Sequence, residues 1–331
     1  MRRREFMTLL GGSAVARPMA ALAQQPDQIR RIGWLVAVGN NSLYGPKTRE
    51  AFTNALRPLG WIDGNNIQID YWRAEYDAAN AQVLARKLVA LKPDVILAIN
   101  TLAVAACQRE TKSIPIVFVA VTDPVASGFV ESLSRPGGNI TGFSNFEPTL
   151  VGKYIEILKE INPGMTAVAE MYNPDANLAY LKSIHPVLEI AARYHAVELI
   201  TAPVRGDADI ERVISSLGDK PTTGLIVAGE PFLRERLDLI NSFTNRFRVP
   251  AVYAFRAFVE GGGLISYGND LIEQYRQAAT YIDRILKGAN PADLPVQAPS
   301  KFEMVINLKT AKAMGLNIPP TLLARADEVI E

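Results

Sequence analysis

The stretch that decides the fold is Lys92-Pro93-Asp94-Val95-Ile96-Leu97-Ala98-Ile99-Asn100-Thr101-Leu102-Ala103-Val104-Ala105-Ala106-Cys107, continued by Ile114-Pro115-Ile116-Val117-Phe118-Val119-Ala120-Val121-Thr122-Asp123-Pro124. Val95–Ile99 and Ile116–Val121 are unbroken apolar runs rich in β-branched residues and bounded by Pro and polar residues. Runs of that kind suit strands covered on both faces. The Ala-rich segment between them reads as a helix. Strand, helix and strand in this order make a βαβ unit and hence a parallel sheet.

The same alternation continues outward. Strands are expected at Ile32–Val38, Ile67–Trp72, Thr166–Tyr172, Val197–Thr201, Leu225–Ala228 and Ala251–Tyr253. Helices are expected at Thr48–Leu59, Ala78–Leu91, Leu150–Ile161, Leu178–Tyr194, Asp209–Leu217 and Phe232–Phe247. The class is α/β. The order of parts also repeats. Lys92-Pro93, strand, helix, Ile114-Pro115, strand and Gly137-Gly138 are answered by Lys220-Pro221, strand, helix, Val249-Pro250, strand and Gly261-Gly262-Gly263. Two lobes of similar build explain the repeat; one large sheet with coincidental punctuation is the alternative.

Composition sets bounds on function. The chain has 331 residues, long enough for about two domains, and 35 Lys and Arg against 34 Asp and Glu. No stretch gathers basic residues into a nucleic-acid footprint. The single cysteine, Cys107, cannot form an intramolecular disulfide and reads as a buried bystander. Residues 1–23 combine a basic start, a short apolar run and an Ala-x-Ala ending at Ala23, the parts of a secretory signal peptide. Arg3-Arg4-Glu5-Phe6-Met7 resembles a twin-arginine signal, although Arg2 and Arg17 depart from it and leave the general route open. Cleavage would remove four Arg and one Glu, a net +3, turning the overall +1 into −2. The apolar run is too short for a membrane span. The expected product is periplasmic, not membrane-embedded, and monomeric.

In α/β sheets ligands sit beyond the carboxyl ends of strands, where helix N-termini offer free N–H groups. Asn100-Thr101, Thr122-Asp123-Pro124, Asn173-Pro174 and Gly229-Glu230-Pro231 occupy such positions. A polar residue before Pro is also ordinary helix-start chemistry. Glu230 stands apart because Glu caps poorly, so its carboxylate suits a ligand ammonium. Trp34, Tyr172, Phe255, Phe258 and Tyr267 lie in or near strand ends and suit either core filling or an apolar ligand box. Arg256 is open to a ligand carboxylate or to a carboxylate of the protein.

Nucleotide-binding, nucleophile-elbow and zinc-protease motifs are missing, so no cofactor and no catalytic residue is expected. His185 and His195, ten residues apart on one expected helix, project about 80° apart and are too far separated along the axis to share a metal. Both read as partly exposed helix residues.

Longer motifs carry a resemblance. They are Ile114-Pro115-Ile116-Val117-Phe118, Val121-Thr122-Asp123-Pro124-Val125, Arg135-Pro136-Gly137-Gly138-Asn139-Ile140-Thr141-Gly142, Phe255-Arg256-Ala257-Phe258-Val259-Glu260-Gly261-Gly262-Gly263 and Ser266-Tyr267-Gly268. Ala292-Asp293-Leu294-Pro295-Val296-Gln297 and the run from Lys301 to Ala311 complete the set. Together they resemble ABC transporter substrate-binding proteins of the tryptophan/tyrosine type, nearly end to end. The resemblance implies a type I periplasmic-binding-protein fold, with two Rossmann-like lobes joined by a three-crossing hinge. It places lobe one at 29–145 plus 263–296 and lobe two at 146–262 plus 297–331. Crossings would fall near Gly142–Phe146, Gly261–Gly263 and Val296–Ser300.

By the same resemblance, Asn100, Thr101, Thr122 and Asp123 would line the cleft from lobe one. Tyr172, Asn173, Glu230 and Arg256 would line it from lobe two. The segment from Gly39 to Pro46 departs from the family's acidic turn and is expected to face the cleft. The implied function is capture of a small molecule, an aromatic amino acid or another small carboxylate, for an ABC permease in the inner membrane. An exported α/β enzyme acting on a small aromatic acid and a ligand-binding sensory module are the alternatives.

Overall fold

Every residue of Val95–Ile99 and of Thr223–Val227 is buried, which is what parallel strands covered on both faces require. The computed structural model describes residues 29–37, 45–75, 77–145, 147, 149–175 and 182–331. The proposed signal peptide and most of the Gly39–Pro46 segment lie outside them.

The first sheet is formed by β1 (Arg30–Val36), β2 (Ile67–Arg73), β3 (Val95–Ile99), β4 (Ile116–Val121) and β5 (Ile140–Ser144). Helices α1 (Gly45–Leu56), α2 (Ala78–Ala90) and α3 (Asn100–Glu110) alternate with its early strands. The second half continues with α4 (Thr149–Ile161), β6 (Ala167–Tyr172), α5 (His185–Tyr194), β7 (Glu198–Pro203), α6 (Asp207–Gly218) and β8 (Thr223–Val227). Next come α7 (Pro231–Arg234), α8 (Leu237–Phe247), β9 (Ala251–Tyr253), α9 (Arg256–Glu260) and β10 (Ile265–Asn269). The chain ends with α10 (Leu271–Leu286), β11 (Phe302–Asn307), α11 (Leu308–Met314), α12 (Pro320–Leu323) and β12 (Glu328–Ile330).

The sheet orders are β2-β1-β3-β4-β5 and β7-β6-β8-β9-β10-β11-β12. The first five strands of each share one doubly wound order, so the repeat read in the sequence is a repeat of topology. All pairs are parallel except β10 with β11. In such an order the ligand crevice opens where neighbouring crossovers diverge, at the carboxyl ends of the strands.

One expected boundary moves. β10 hydrogen-bonds to β9 and β11 and is part of the second sheet, so the chain does not return to lobe one at Gly261–Gly263. It returns at Asp270, whose side chain caps α10 by accepting from Glu273 N. Helix α10 then packs on α1, β3, β4 and β5. Glycines 261–263 precede β10 much as Gly137-Gly138 precede β5, and mark the entry to a strand.

The three crossings bind one another. Gln297 N donates to Gly142 O at 2.9 Å, and Ser144 N donates to Gln297 O at 2.9 Å. The Gln274 side chain donates to Ser144 O at 2.8 Å. Asp270 N donates to Lys301 O at 3.3 Å. Gly142 sits at φ 152° against Phe118, so close that an added Cβ would run into the Phe118 backbone. Among the described residues no helix is long and apolar enough to cross a membrane.

Candidate functional site

A cavity of about 170 Å³ lies between the lobes, at the carboxyl ends of β1, β3 and β4 on one side and of β8 and β9 on the other. Lobe one supplies an aromatic wall. Trp34 on β1 meets Phe52 edge-on at 4.8 Å and Tyr71 at 5.5 Å, with Tyr275 of α10 tilted against it at 5.9 Å. Trp34, Tyr71 and Tyr275 all face the cavity, as does Thr48 of α1. Trp34 is buried, and its Nε1 has no hydrogen-bond partner among the described residues. An indole N–H normally finds a partner when buried.

The floor is formed where β3 and β4 end. Asn100 adopts a left-handed φ of 71°, a conformation Asn tolerates better than most residues. Its Oδ1 accepts from Leu102 N and Ala103 N, and its Nδ2 donates to Ala37 O at 2.5 Å. The side chain therefore caps α3 and ties it to the end of β1. Thr101 lies beside it on the cavity wall. In β4 the register with β5 slips between Val119 and Val121, and Ala120, at φ 60°, turns into the cavity. A bulge at a strand end re-aims a side chain in this way, at a cost of about 1–2 kcal/mol for the left-handed residue. Thr122 follows; its carbonyl, with that of Val121, accepts from Ser144 Oγ.

Lobe two closes the cavity with Gly229, Pro231, Arg234 and Phe255. Arg234, at the end of the one-turn helix α7, lies 5.3 Å over the Phe255 ring, a cation–π distance. Among the described residues lining the cavity, it alone carries a charge. A second chamber of about 60 Å³ adjoins the first. Thr122, Asn145, Gly229 and Phe255 line both. Glu147, Tyr154, Ile184 and Asn269 line only the second.

Asn100, Thr101 and Thr122 are brought together on the lobe-one wall. The other expected residues lie outside the lining of either chamber. Asp123 caps the next turn through Ala126 N and accepts from Ser183 Oγ of lobe two at 2.6 Å. Tyr172, at the end of β6, stands 6.4 Å from the His185 ring. Asn173 donates its N–H to Glu230 and accepts from Asp175 N through Oδ1. Glu230 is fully buried. Burial pushes its carboxyl up to about 8, the Asn173 N–H opposes the rise and the Glu170 charge adds to it. At neutral pH it is mostly protonated and offers little to an ammonium. Arg256 pairs with Glu260, Glu303 and Glu328 at 3.0, 2.9 and 2.6 Å, so its partners are the protein's own carboxylates.

His185 is also more constrained than its sequence suggests, with Nδ1 2.5 Å from the buried Glu170 carboxylate. Cys107 is buried, its thiol pushed up to about 12 by burial and then by Glu110. Among the described residues no three His, Cys, Asp or Glu side chains are placed to hold a metal.

Residues 31–330 match the family described as ABC transporter substrate binding protein. The chain belongs to that family. Its fold is the type I periplasmic-binding-protein fold. A curated relative from Clostridioides difficile, the tyrosine-binding protein, is 31% identical over 82% of this chain and 77% of its own. A domain from Streptococcus pneumoniae solved in complex with L-Trp is 26% identical, with a TM-score of 0.82, over 91% of this chain and 99% of that one. The ligand-free, open structure of a substrate-binding protein with adhesive properties from Clostridium difficile is 28% identical over the same shares, with a TM-score of 0.71.

Sequence reading passed over Arg234, Tyr71, Tyr275 and Asn269. Arg234 lies three residues beyond Gly229-Glu230-Pro231, at the end of the same helical turn, so following that helix start for three more residues would have reached it. Tyr275 comes from a helix that returns to lobe one late in the chain. No local signal marks it.

Proposed function

We propose that the protein captures a small aromatic carboxylate, an aromatic amino acid foremost, between its lobes and delivers it to an ABC permease in the inner membrane. The observation that carries this reading is Arg234, the one charged side chain among the described residues lining the cavity, set opposite the aromatic wall of Trp34, Tyr71 and Tyr275. A guanidinium complements a carboxylate in charge and in hydrogen-bond geometry. The cavity is smaller than the sites of drug-sized ligands, which run to about 300–1,000 Å³, and suits a body of amino-acid size. Relatives that bind tyrosine and L-Trp favour the same class.

The lobe arrangement supports the closed form. At equal coverage and similar identity, the chain superposes better on the L-Trp complex than on the ligand-free, open structure. Across the cleft, Ser183 donates to Asp123, and Lys47 lies 3.7 Å from Glu260. Closure then follows from the ligand's greater affinity for the closed arrangement. The reading is capture without a catalytic step, by a periplasmic monomer released from its signal peptide after Ala23.

Calorimetric titration of the chain from Gln24 with L-Trp, L-Tyr, L-Phe and the matching amine-free acids tests it. At least one aromatic carboxylate should bind, and Arg234→Met should weaken it by about 10- to 150-fold, the range for a hydrogen bond to a charged group. An Arg234→Met protein that folds and binds as tightly as the wild type would overturn the role of the cation. Failure of the whole panel would overturn the ligand class.

A further inference from the structure

The second chamber holds a polar group that the capture reading leaves without a task. Asn269 is the last residue of β10, and its backbone is held in register opposite Phe302 of β11. The residue is 7% exposed, and its side-chain Nδ2 has no hydrogen-bond partner among the described residues. The rest of the chamber is mostly apolar, with Leu150, Val151, Ile226 and Ala254 around it. An amide donor taken out of water and left unmade destabilises the fold, whereas Leu at the same place would have packed without that loss. Among the described residues lining the two chambers, the other buried donor without a partner is Trp34 Nε1, at the opposite chamber. The chambers meet at Phe255, so a molecule anchored on Arg234 passes that ring to reach Asn269.

We infer that Asn269 is a specificity-determining contact, and that the second chamber takes an oxygen at the end of the ligand remote from its carboxylate. The preferred ligand is then a ring-hydroxylated aromatic carboxylate, not its plain phenyl counterpart. The inference rests on the capture reading above. A phenolic hydroxyl both donates and accepts, so it meets the carboxamide whichever way the amide is turned. About 60 Å³ leaves room for the oxygen and a ring edge, since a single water needs only about 10–15 Å³ of such space.

The test pairs ligands that differ by one hydroxyl, L-tyrosine against L-phenylalanine and 4-hydroxyphenylacetate against phenylacetate, titrated into the wild type, Asn269→Leu and Asn269→Ser. A site built to bond a hydroxyl rejects the analogue that lacks it, so the wild type should favour the hydroxylated member of at least one pair by about tenfold or more. Asn269→Leu should bring the ratio near one while binding the phenyl member as well as the wild type does. Asn269→Ser, which keeps a smaller polar group, should retain part of the preference and serves if the Leu variant fails to fold. A wild-type ratio near one in both pairs, or a preference that survives in a folded variant, overturns the inference. If the wild type bound L-Trp but no member of either pair, the inference would fall and the capture reading would stand; if it bound neither L-Trp nor any member of the pairs, the capture reading beneath it would fall.

Discussion

Changing Glu230 to Gln should flatten the pH dependence of stability. The Glu230 side chain is buried beyond β8, with Oε1 on the Asn173 N–H and Oε2 unpartnered among the described residues. Burial raises its pKa from 4.5 to about 8, with the Asn173 N–H opposing and Glu170 adding. The folded chain therefore keeps a proton that the unfolded chain releases. Stability changes with pH in proportion to protons bound unfolded minus protons bound folded. That difference is negative between the two pKa values. This carboxyl's contribution is thus fully present below about pH 4.5 and is lost as pH rises towards about 8. At about 1.4 kcal/mol per pKa unit, the window is worth roughly 5 kcal/mol. Gln does not titrate and still offers an acceptor to Asn173 N–H. Melting curves of both proteins, taken from pH 4.5 to 8.5, should converge at the acid end. They should then separate in favour of the variant by something of the order of 10 °C. Parallel curves across that range would refute the assignment of a proton to Glu230.

Two further changes probe the frame around the cleft. Ser183→Ala removes a hydrogen bond to Asp123 that spans the lobes, so a ligand found in the titrations should leave about 3- to 10-fold faster with its association rate little changed, read by stopped-flow fluorescence; an unchanged off-rate would mean that the contact does not hold the lobes together. Gly142→Ala drives a methyl group into the backbone of Phe118 in β4 at a φ that favours glycine, and should cost about 3 kcal/mol or more, seen as a fall of several degrees in Tm; melting within a degree of the wild type would show that β4 and β5 can separate there at no cost.

Strands legible in the sequence include fully buried ones and also β2 and β7, which are only partly buried. Val95–Ile99, Ile116–Val121 and Ala251–Tyr253 appear with the bounds their apolar runs suggest. β5 and β10 escaped notice because each carries a glycine, Gly142 or Gly268, that interrupts the run. Gly268 lies so near Ala254 that a Cβ would overlap the Ala254 carbonyl. It marks close backbone approach within a sheet, although in sequence it looks like a turn. Taking the glycines before β10 as a hinge then shifted one lobe boundary by a whole strand.

The same limit governs the site. Polar residues at strand ends can be found from sequence because the position of a strand end fixes where its next residue goes, and Asn100, Thr101 and Thr122 follow from that. Which way a residue in the following helix points depends on its phase, which a one-turn helix hardly reveals. Arg234 and Arg256 both follow strands of lobe two and both lie near a Phe. Arg234 ends α7 and reaches the cleft, whereas Arg256 begins α9 and turns to Glu260 and to the β11 and β12 edge. The lobes consequently bring unlike halves of one cavity. Lobe one supplies the indole, the phenols and the capped end of α3; lobe two supplies the cation and the carboxamide of Asn269. Neither half alone offers both an anion partner and an aromatic wall. Under the proposed capture, a ligand that needs both would gain its full set of contacts only with the lobes together, and that difference in contacts would make closure depend on the ligand.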